Sequence, residues 1–449
     1  RPASQQNSDV FEKQMKKIIV ILFVLLSVRL SAQNLYFPPN TGNTWDTLAP
    51  QSLGYCQASI DSLYNFLERN NTKAFILLKG GKIVLEKYFG LHTQNTPWQW
   101  ASAGKTITSM MVGIAQQEGF LSINDTTSKY IGKGWTNCSV LQEDKITIRN
   151  QLSMTSGLDD GVADPYCTID TCLIFKANAG TRWAYHNAPY TLLDSVIESA
   201  TGQSLNTYTS LKLKNPTGMT GAFLSIGFNN TYYSTARSMA RFGLLILNKG
   251  KWNGNIILSD TNYYNQMLNT SQLLNKSYGY LWWLNGKTSF MVPSSQFVFN
   301  GSICPNAPTD LVSAMGKGGQ FLNIIPSQQL VWLRMGDDPT NALVPFLFNN
   351  DIWQYINRLP CSTSTVNSTN IEEALVKLFP NPCKHELYLN SHETQSKIEL
   401  FTFQGQCIKS FDVITKESKI EIEDLPNAFY FIKVYFQNGQ VWNGRFIKY

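Results

Sequence analysis

The sequence predicts an α+β protein followed by a small all-β module at its carboxyl end. Three observations carry this. Two hairpin signals bracket the first 359 residues: Ala74–Lys79 and Lys82–Phe89 around Gly80-Gly81, and Phe321–Ile325 and Leu330–Met335 around Pro326–Gln329. Helical apolar periodicity fills the stretch between them. After Pro360 the pattern changes to short alternating runs spaced about ten residues apart. Strand signals at both ends with helices between fit an α+β layout better than alternating βαβ crossovers.

Taken in order, the chain starts with a segment that is set aside. Met15-Lys16-Lys17 and the apolar run Ile18–Val28 are too short to span a bilayer and read as a secretory signal over residues 15–32, cut near Ser31-Ala32-Gln33. Residues 1–14 precede that start and are treated as a non-native or upstream extension. The remainder is globular in composition, with 43% hydrophobic and 15% charged residues among 449, enough for one large domain and a small one. The net charge of +6 is dispersed, with no basic stripe, so nucleic acid is not an expected partner. Eight cysteines in an exported chain permit disulfides. Cys167 and Cys172 are close enough to close a small loop, and the other pairings stay open. There is no C-x-x-C, and of four histidines His385 and His392 lie near the carboxyl end, so no metal site or cofactor is expected.

The first chemical signal follows the first hairpin. Trp100–Met111 reads as the start of a buried helix, with Ile107, Met111, Ile114 and Ala115 on one face and Gly119 as its stop. Ser102 and Lys105 are three apart and share a face. A serine in the first turn lies near unpaired backbone N–H groups and the positive end of the helix dipole. A lysine one turn on can take its proton, provided burial lowers the lysine pKa enough to leave it neutral. Alone, this pair reads as a solvated lysine near a serine; it gains weight only with partners.

Two later stretches supply candidates. Tyr185 and Asn187 lie in a loop, two apart, on one side of an extended segment. With twenty tyrosines in the chain, a structural aromatic is the default for Tyr185. His186 points the other way, and is the one histidine placed to act as a base instead. Met315-Gly316-Lys317-Gly318-Gly319-Gln320 then opens the second hairpin, and glycines inside a strand imply close approach to the backbone. Gly-x-Ser-x-Gly, glycine-rich phosphate loops and dinucleotide fingerprints are absent.

Ser102-x-x-Lys105, Tyr185-x-Asn187 and Lys317-Gly318-Gly319, in that order and spacing, resemble the serine β-lactamase and penicillin-binding-protein superfamily, and most its class C-like branch of esterases, D-amino-acid peptidases and amide hydrolases. Met154–Leu158, Gly180–Tyr185 and Ser234–Gly243 are also similar to family stretches. The resemblance implies an antiparallel sheet flanked by helices, with a helical subdomain and the site between the two parts, over residues 46–359. It implies Ser102 as the acylated nucleophile and Lys105 and Tyr185 as sharers of the base role. It implies Asn187 as orienting group, Lys317 beside a substrate carboxylate, and the backbone N–H groups of Ser102 and Gln320 as the oxyanion hole. Gly318 departs from the penicillin-recognising pattern, which has Thr or Ser there. The expected activity is therefore hydrolysis of a small ester or amide through an acyl-enzyme. The alternatives are a penicillin-binding β-lactamase or D,D-peptidase, and an inactive binding module on the same fold.

Residues 360–371 read as a linker, Ser/Thr/Asn-rich and without apolar period. Residues 372–449 read as a small β-sandwich. Leu378-Phe379-Pro380-Asn381-Pro382 at the head of this module resembles the sorting domain of the type IX secretion system of Bacteroidetes. That resemblance implies the type IX machinery as a partner, and a protein that is secreted or on the cell surface.

Overall fold

Gly80 and Gly81 close the first hairpin at φ +57° and +86°. Positive φ at both central residues is what a two-residue turn needs to match the right-handed twist of its strands. In this computed structural model the described residues are 35–337, 342–361, 376–402 and 406–449. The expected extension (1–14), the expected signal segment (15–32) and most of the expected linker lie outside them.

Helix α1 (Gln57–Arg69) leads into β1 (Thr72–Lys79) and β2 (Lys82–Tyr88). Then come β3 (Trp98–Gln99), α2 (Lys105–Gln117), α3 (Asn187–Thr201), β4 (Ala222–Ile226), β5 (Asn229–Ser234) and α4 (Ala236–Leu247). The domain closes with β6 (Trp283–Leu284), β7 (Val312–Gly316), β8 (Gln320–Ile325), β9 (Leu330–Gly336) and α5 (Phe346–Ile356). The main sheet has six antiparallel strands in the order β2-β1-β9-β8-β7-β6. The two predicted hairpins thus meet edge to edge, with Ile76 opposite Leu333.

Alternation along β9 shows how the sheet is covered. Val331 points to α4, where a side chain on Gly243 would meet its Cγ1 at 2.6 Å. Trp332 points to the opposite face and packs edge-on against Trp353 of α5, ring centroids 5.6 Å apart. A second sheet, β3-β5-β4, lies apart from the first and carries the approach to Ser102. The disulfide Cys56–Cys361 ties the start of α1 to the segment after α5, and Cys167–Cys172 closes the short predicted loop.

Two expectations change. The aromatic run Tyr278–Leu284 is strand only at Trp283–Leu284, because Leu281 at φ +62° folds the chain back and bridges Tyr278 to Trp283. The expected single helix from Ser102 is a 3₁₀ turn over Ala101–Gly104 that hands over to α2 at Lys105.

The terminal module contains β10 (Val376–Phe379), β11 (Glu386–Thr402), β12 (Cys407–Glu421), β13 (Phe429–Phe436) and β14 (Val441–Ile447). One continuous five-stranded sheet forms in place of two separate ones, with β12 beside β11. Register shifts between Asn390 and Lys397 bend β11. Leu387 and Leu389 before the bend then share a core with Ile398, Leu400, Val434 and Phe446 after it, so the sheet curls around one apolar centre. Phe297 and Phe299 of the main domain meet Phe401 and Phe431 of this module at ring-centroid distances of 5.4 and 4.0 Å.

Candidate active site

The serine is held by its approach. β3 pairs with β5, the Trp100 amide donates to the Tyr232 carbonyl at 2.8 Å, and the Trp100 indole N–H donates to Ser234 Oγ at 2.8 Å. Trp100 is fully buried, so the chain is pinned just before the nucleophile. Ala101 then takes φ +46°, a left-handed conformation that L-residues adopt at a cost of about 1–2 kcal/mol. That turn sets Ser102 at the head of the 3₁₀ turn, where its amide has no intrahelical partner.

Lys105 is 3% exposed. Its Nζ lies 2.9 Å from Ser102 Oγ and donates to Asn187 Oδ1 at 2.8 Å. It sits 4.0 Å from the centroid of the Tyr190 ring and 5.1 Å from that of Tyr185. Burial lowers its pKa to about 7, with Asp194 acting in the opposite direction. A neutral amine can keep its bond to Asn187 and still offer a lone pair to the serine hydroxyl.

Tyr185 is buried against Trp283, stacked at 5.7 Å, and shares a hydrogen bond with Ser102. Burial pushes its phenol well above its ordinary value, and the bond to Ser102 offsets this only in part. Of the two expected sharers of the base role, burial thus brings the Lys105 pKa towards neutrality and takes that of Tyr185 away from it. His186 caps the start of α3, is buried, and does not line the cavity described below. Burial lowers its pKa to about 4, and neither ring nitrogen has a partner among the described residues.

The glycine-rich stretch works differently from a continuous strand. Gly316 ends β7 and Gln320 opens β8, paired across the ladder, so Lys317-Gly318-Gly319 is a three-residue turn. Gly316 is the point of close approach: a Cβ there would lie 2.9 Å from the Ser102 nitrogen and 2.8 Å from that of Ala103. Gly318 and Gly319 have φ +76° and +74°. Lys317 and Gly318 line the cavity, whereas Gly319 packs behind them, where a side chain would meet Arg334 Nη1 at 2.4 Å.

Gln320 does not line the cavity. It is fully buried, and its side chain donates to the Gly336 carbonyl at 2.6 Å and accepts from the Gly336 amide at 3.0 Å. The expected oxyanion donor, the Gln320 amide, thus belongs to a residue buried at the start of β8 and outside the cavity lining. The amide that follows the close approach at Gly316 is that of Lys317.

The cavity, of about 520 Å³, brings Ser102, Lys105, Asn187, Lys317 and Gly318 together with Gln99, Ala101, Tyr166, Tyr190, Asn229, Thr231 and Asp337. No aliphatic side chain larger than alanine is in this wall. Tyr190 could have been found from the sequence, because it follows Asn187 by three on a helix. Gln99, Asn229, Thr231 and Asp337 come from three other strands or strand ends, and no local pattern marks them. Among the described residues no group of His, Cys, Asp and Glu could hold a metal ion.

A family model for β-lactamase matches residues 68–342, and one for the secretion system C-terminal sorting domain matches residues 377–448. Among curated proteins, an uncharacterised protein of Alkalihalophilus pseudofirmus is 25% identical over 296 residues, which is 58% of this chain and 81% of that protein. A solved structure described as a β-lactamase from Bacteroides dorei superposes with a TM-score of 0.55 at 17% identity, over 68% of this chain and 99% of the other. One described as a 6-aminohexanoate-dimer hydrolase from Bacillus anthracis gives 0.54 at 20% identity, over 73% and 91%. At such identities these likenesses speak for the fold. The β-lactamase match spans more than half of the chain, which therefore belongs to the β-lactamase family and ends in a secretion-system sorting domain.

Proposed function

We propose that the protein is a secreted serine hydrolase that cleaves a small ester or amide through an acyl-enzyme. One observation carries this reading: Lys105 Nζ lies 2.9 Å from Ser102 Oγ with its pKa lowered to about 7. In acylation, Ser102 Oγ bonds to the substrate carbonyl carbon as its proton passes to Lys105. The carbonyl oxygen becomes an oxyanion, received by the amides of Ser102 and Lys317. As the tetrahedral centre collapses, the bond to the leaving group breaks, and that group takes the proton from Lys105 by way of the Tyr185 hydroxyl. Water then attacks the acyl carbon with Lys105 again accepting a proton, and as the bond to Ser102 Oγ breaks that oxygen takes the proton back from Lys105, which restores both groups. Asn187 holds Lys105 in line throughout. Loss of one oxyanion donor typically costs about 3–4 kcal/mol in the transition state.

Gly318 bears on the substrate. A Ser or Thr there would need φ +76°, and its Cβ would meet Gln320 Nε2 at 2.8 Å. Glycine supplies no hydroxyl of the kind that helps hold a penicillin carboxylate, which favours an ester or amide over a β-lactam. The sorting domain supports export by the type IX machinery to the surface or beyond, after passage under the signal segment at residues 15–32.

The deciding experiment is intact-mass spectrometry of the protein and of Ser102→Ala after exposure to a p-nitrophenyl ester and, separately, to a penicillin. Ester turnover that requires Ser102, without a lasting penicillin adduct, is the expected result. A stable penicillin adduct on Ser102 would move the reading to a penicillin-binding enzyme. Neither turnover nor adduct would leave an inactive binding module.

A further inference from the structure

Asp194 is a buried carboxylate that the mechanism above does not use. It lies on α3 seven residues after Asn187 and four after Tyr190, so the three form one stripe of the helix. Asn187 holds Lys105 Nζ, and the Tyr190 ring lies beneath it. One turn further, Asp194 Oδ2 accepts from Asn230 Nδ2 at 2.9 Å, and Oδ1 accepts from Thr108 Oγ1 at 3.4 Å. Thr108 follows Lys105 by three on α2, and Asn230 stands between Asn229 and Thr231 of the cavity wall. Both partners are neutral, and the carboxylate has no ion pair among the described residues. An uncompensated carboxylate is costly to bury, so its retention calls for a charge that appears nearby.

We propose that Asp194 is a positioning residue for the base: it supplies the counter-charge to the ammonium that forms on Lys105 when Ser102 gives up its proton, and it ties that event to the Asn229–Thr231 wall. The proposal rests on the reading of Lys105 as the base. The groups that face the pair are Lys105 from α2, Tyr190 and the exposed Glu198 from α3, Tyr185 and Tyr166 from the segment before α3, and Lys317 and Asp337 from the cavity wall. Asp194 is the charge that raises the Lys105 pKa against the effect of burial, and burial in turn raises Asp194 to about 7. Each charge favours the ionised form of the other, and the effect of Lys105 on Asp194 is smaller than those of burial and of its hydrogen bonds.

Removing the carboxylate has two opposed effects. Lys105 is left with burial alone, so it stays neutral to lower pH. The ammonium formed during acylation also loses its partner, so the reaction slows where the base is fully available. A defect of packing alone would slow the reaction without moving the pH dependence.

The test is the rate at which a fluorophosphonate labels Ser102, measured from pH 5 to 9 in the full chain and in Asp194→Asn, whose amide oxygen can still accept from Asn230 while its NH2 donates to the Thr108 hydroxyl. The acid limb is expected to fall by about one pH unit, and the plateau rate by about tenfold. Asp61→Asn, an exposed carboxylate on α1 that acts on neither group, should leave the limb in place. A limb in Asp194→Asn within about 0.2 units of the unaltered chain would overturn the proposal. So that the test does not rest on that variant folding, carboxyl ¹³C NMR of the unaltered chain follows Asp194 directly; a carboxyl that stays protonated up to pH 9 would equally overturn the proposal. If the unaltered chain takes no label at any pH, the nucleophile reading itself fails and this inference with it.

Discussion

A methyl group on Gly316 would lie 2.9 Å from the amide nitrogen of Ser102. It would also lie 2.8 Å from the Ala103 nitrogen and 2.5 Å from the Trp100 carbonyl oxygen. All three are backbone atoms, so only movement of the serine turn relieves the contact. Gly316→Ala is expected to lose about 1–3 kcal/mol of stability. Fluorophosphonate labelling of Ser102 should fall by about a hundredfold, because displacement of the nucleophile by an ångström carries a penalty of that order. Thermal unfolding and labelling rates check both; unchanged labelling would mean that the turn gives way freely.

The base has a pH signature. With Lys105 at about 7, kcat/KM on a p-nitrophenyl ester is expected to fall as pH drops through 7. Lys105→Ala should cost about a hundred- to ten-thousandfold at pH 8. A profile flat down to pH 5 would remove Lys105 from the base role.

The same lysine should lower stability. Its folded pKa of about 7 lies below the ordinary value of 10.5, so between these values the unfolded chain binds more protons than the folded one. Stability from this group therefore rises with pH from 7 to 10.5, and its destabilising effect is complete below 7. Lys105→Met is expected to be the more stable protein at pH 6, with the gain shrinking towards pH 10. Chemical unfolding at several pH values checks the sign.

Gly318→Thr tests the substrate reading. The left-handed backbone and the 2.8 Å approach to Gln320 Nε2 should cost about 1–2 kcal/mol. Penicillin adduct formation should not appear, since the added side chain can enter only by displacing Gln320 Nε2 from its bond to the Gly336 carbonyl. Gain of a lasting adduct in mass spectrometry would contradict this.

The two disulfides should differ in effect. Cys56–Cys361 joins residues 305 apart, whereas Cys167–Cys172 joins residues 5 apart. Constraint of the unfolded chain grows with loop length, so replacing the first pair by serines should cost about 2–5 kcal/mol and replacing the second distinctly less. Thermal unfolding of the two double variants checks the order.

Much of this architecture was legible locally. The Gly80-Gly81 hairpin follows from two residues that tolerate positive φ between alternating strands. The Ser102–Lys105 pair was visible as a helical spacing, and it survives although the serine sits on a 3₁₀ turn. The resemblance placed the Gln320 amide at the site, whereas two left-handed glycines turn the chain so that Lys317 and Gly318 line the cavity and Gln320 is buried in β8. The wall residues Asn229, Thr231 and Asp337 carry no local signal, because strands distant in sequence bring them together.

By itself the sequence determined the inventory and the local geometry: a serine with a lysine one turn away, glycines where the backbone must bend or be approached, and two modules divided near residue 360. Only the tertiary structure decided the environment of the candidate base. A lysine is a cation in water, and burial of Lys105 beside the Tyr185 and Tyr190 rings lowers its pKa to about 7. Exclusion of solvent depends on packing between α2, α3 and the strands behind them, and no spacing of residues along one segment encodes it.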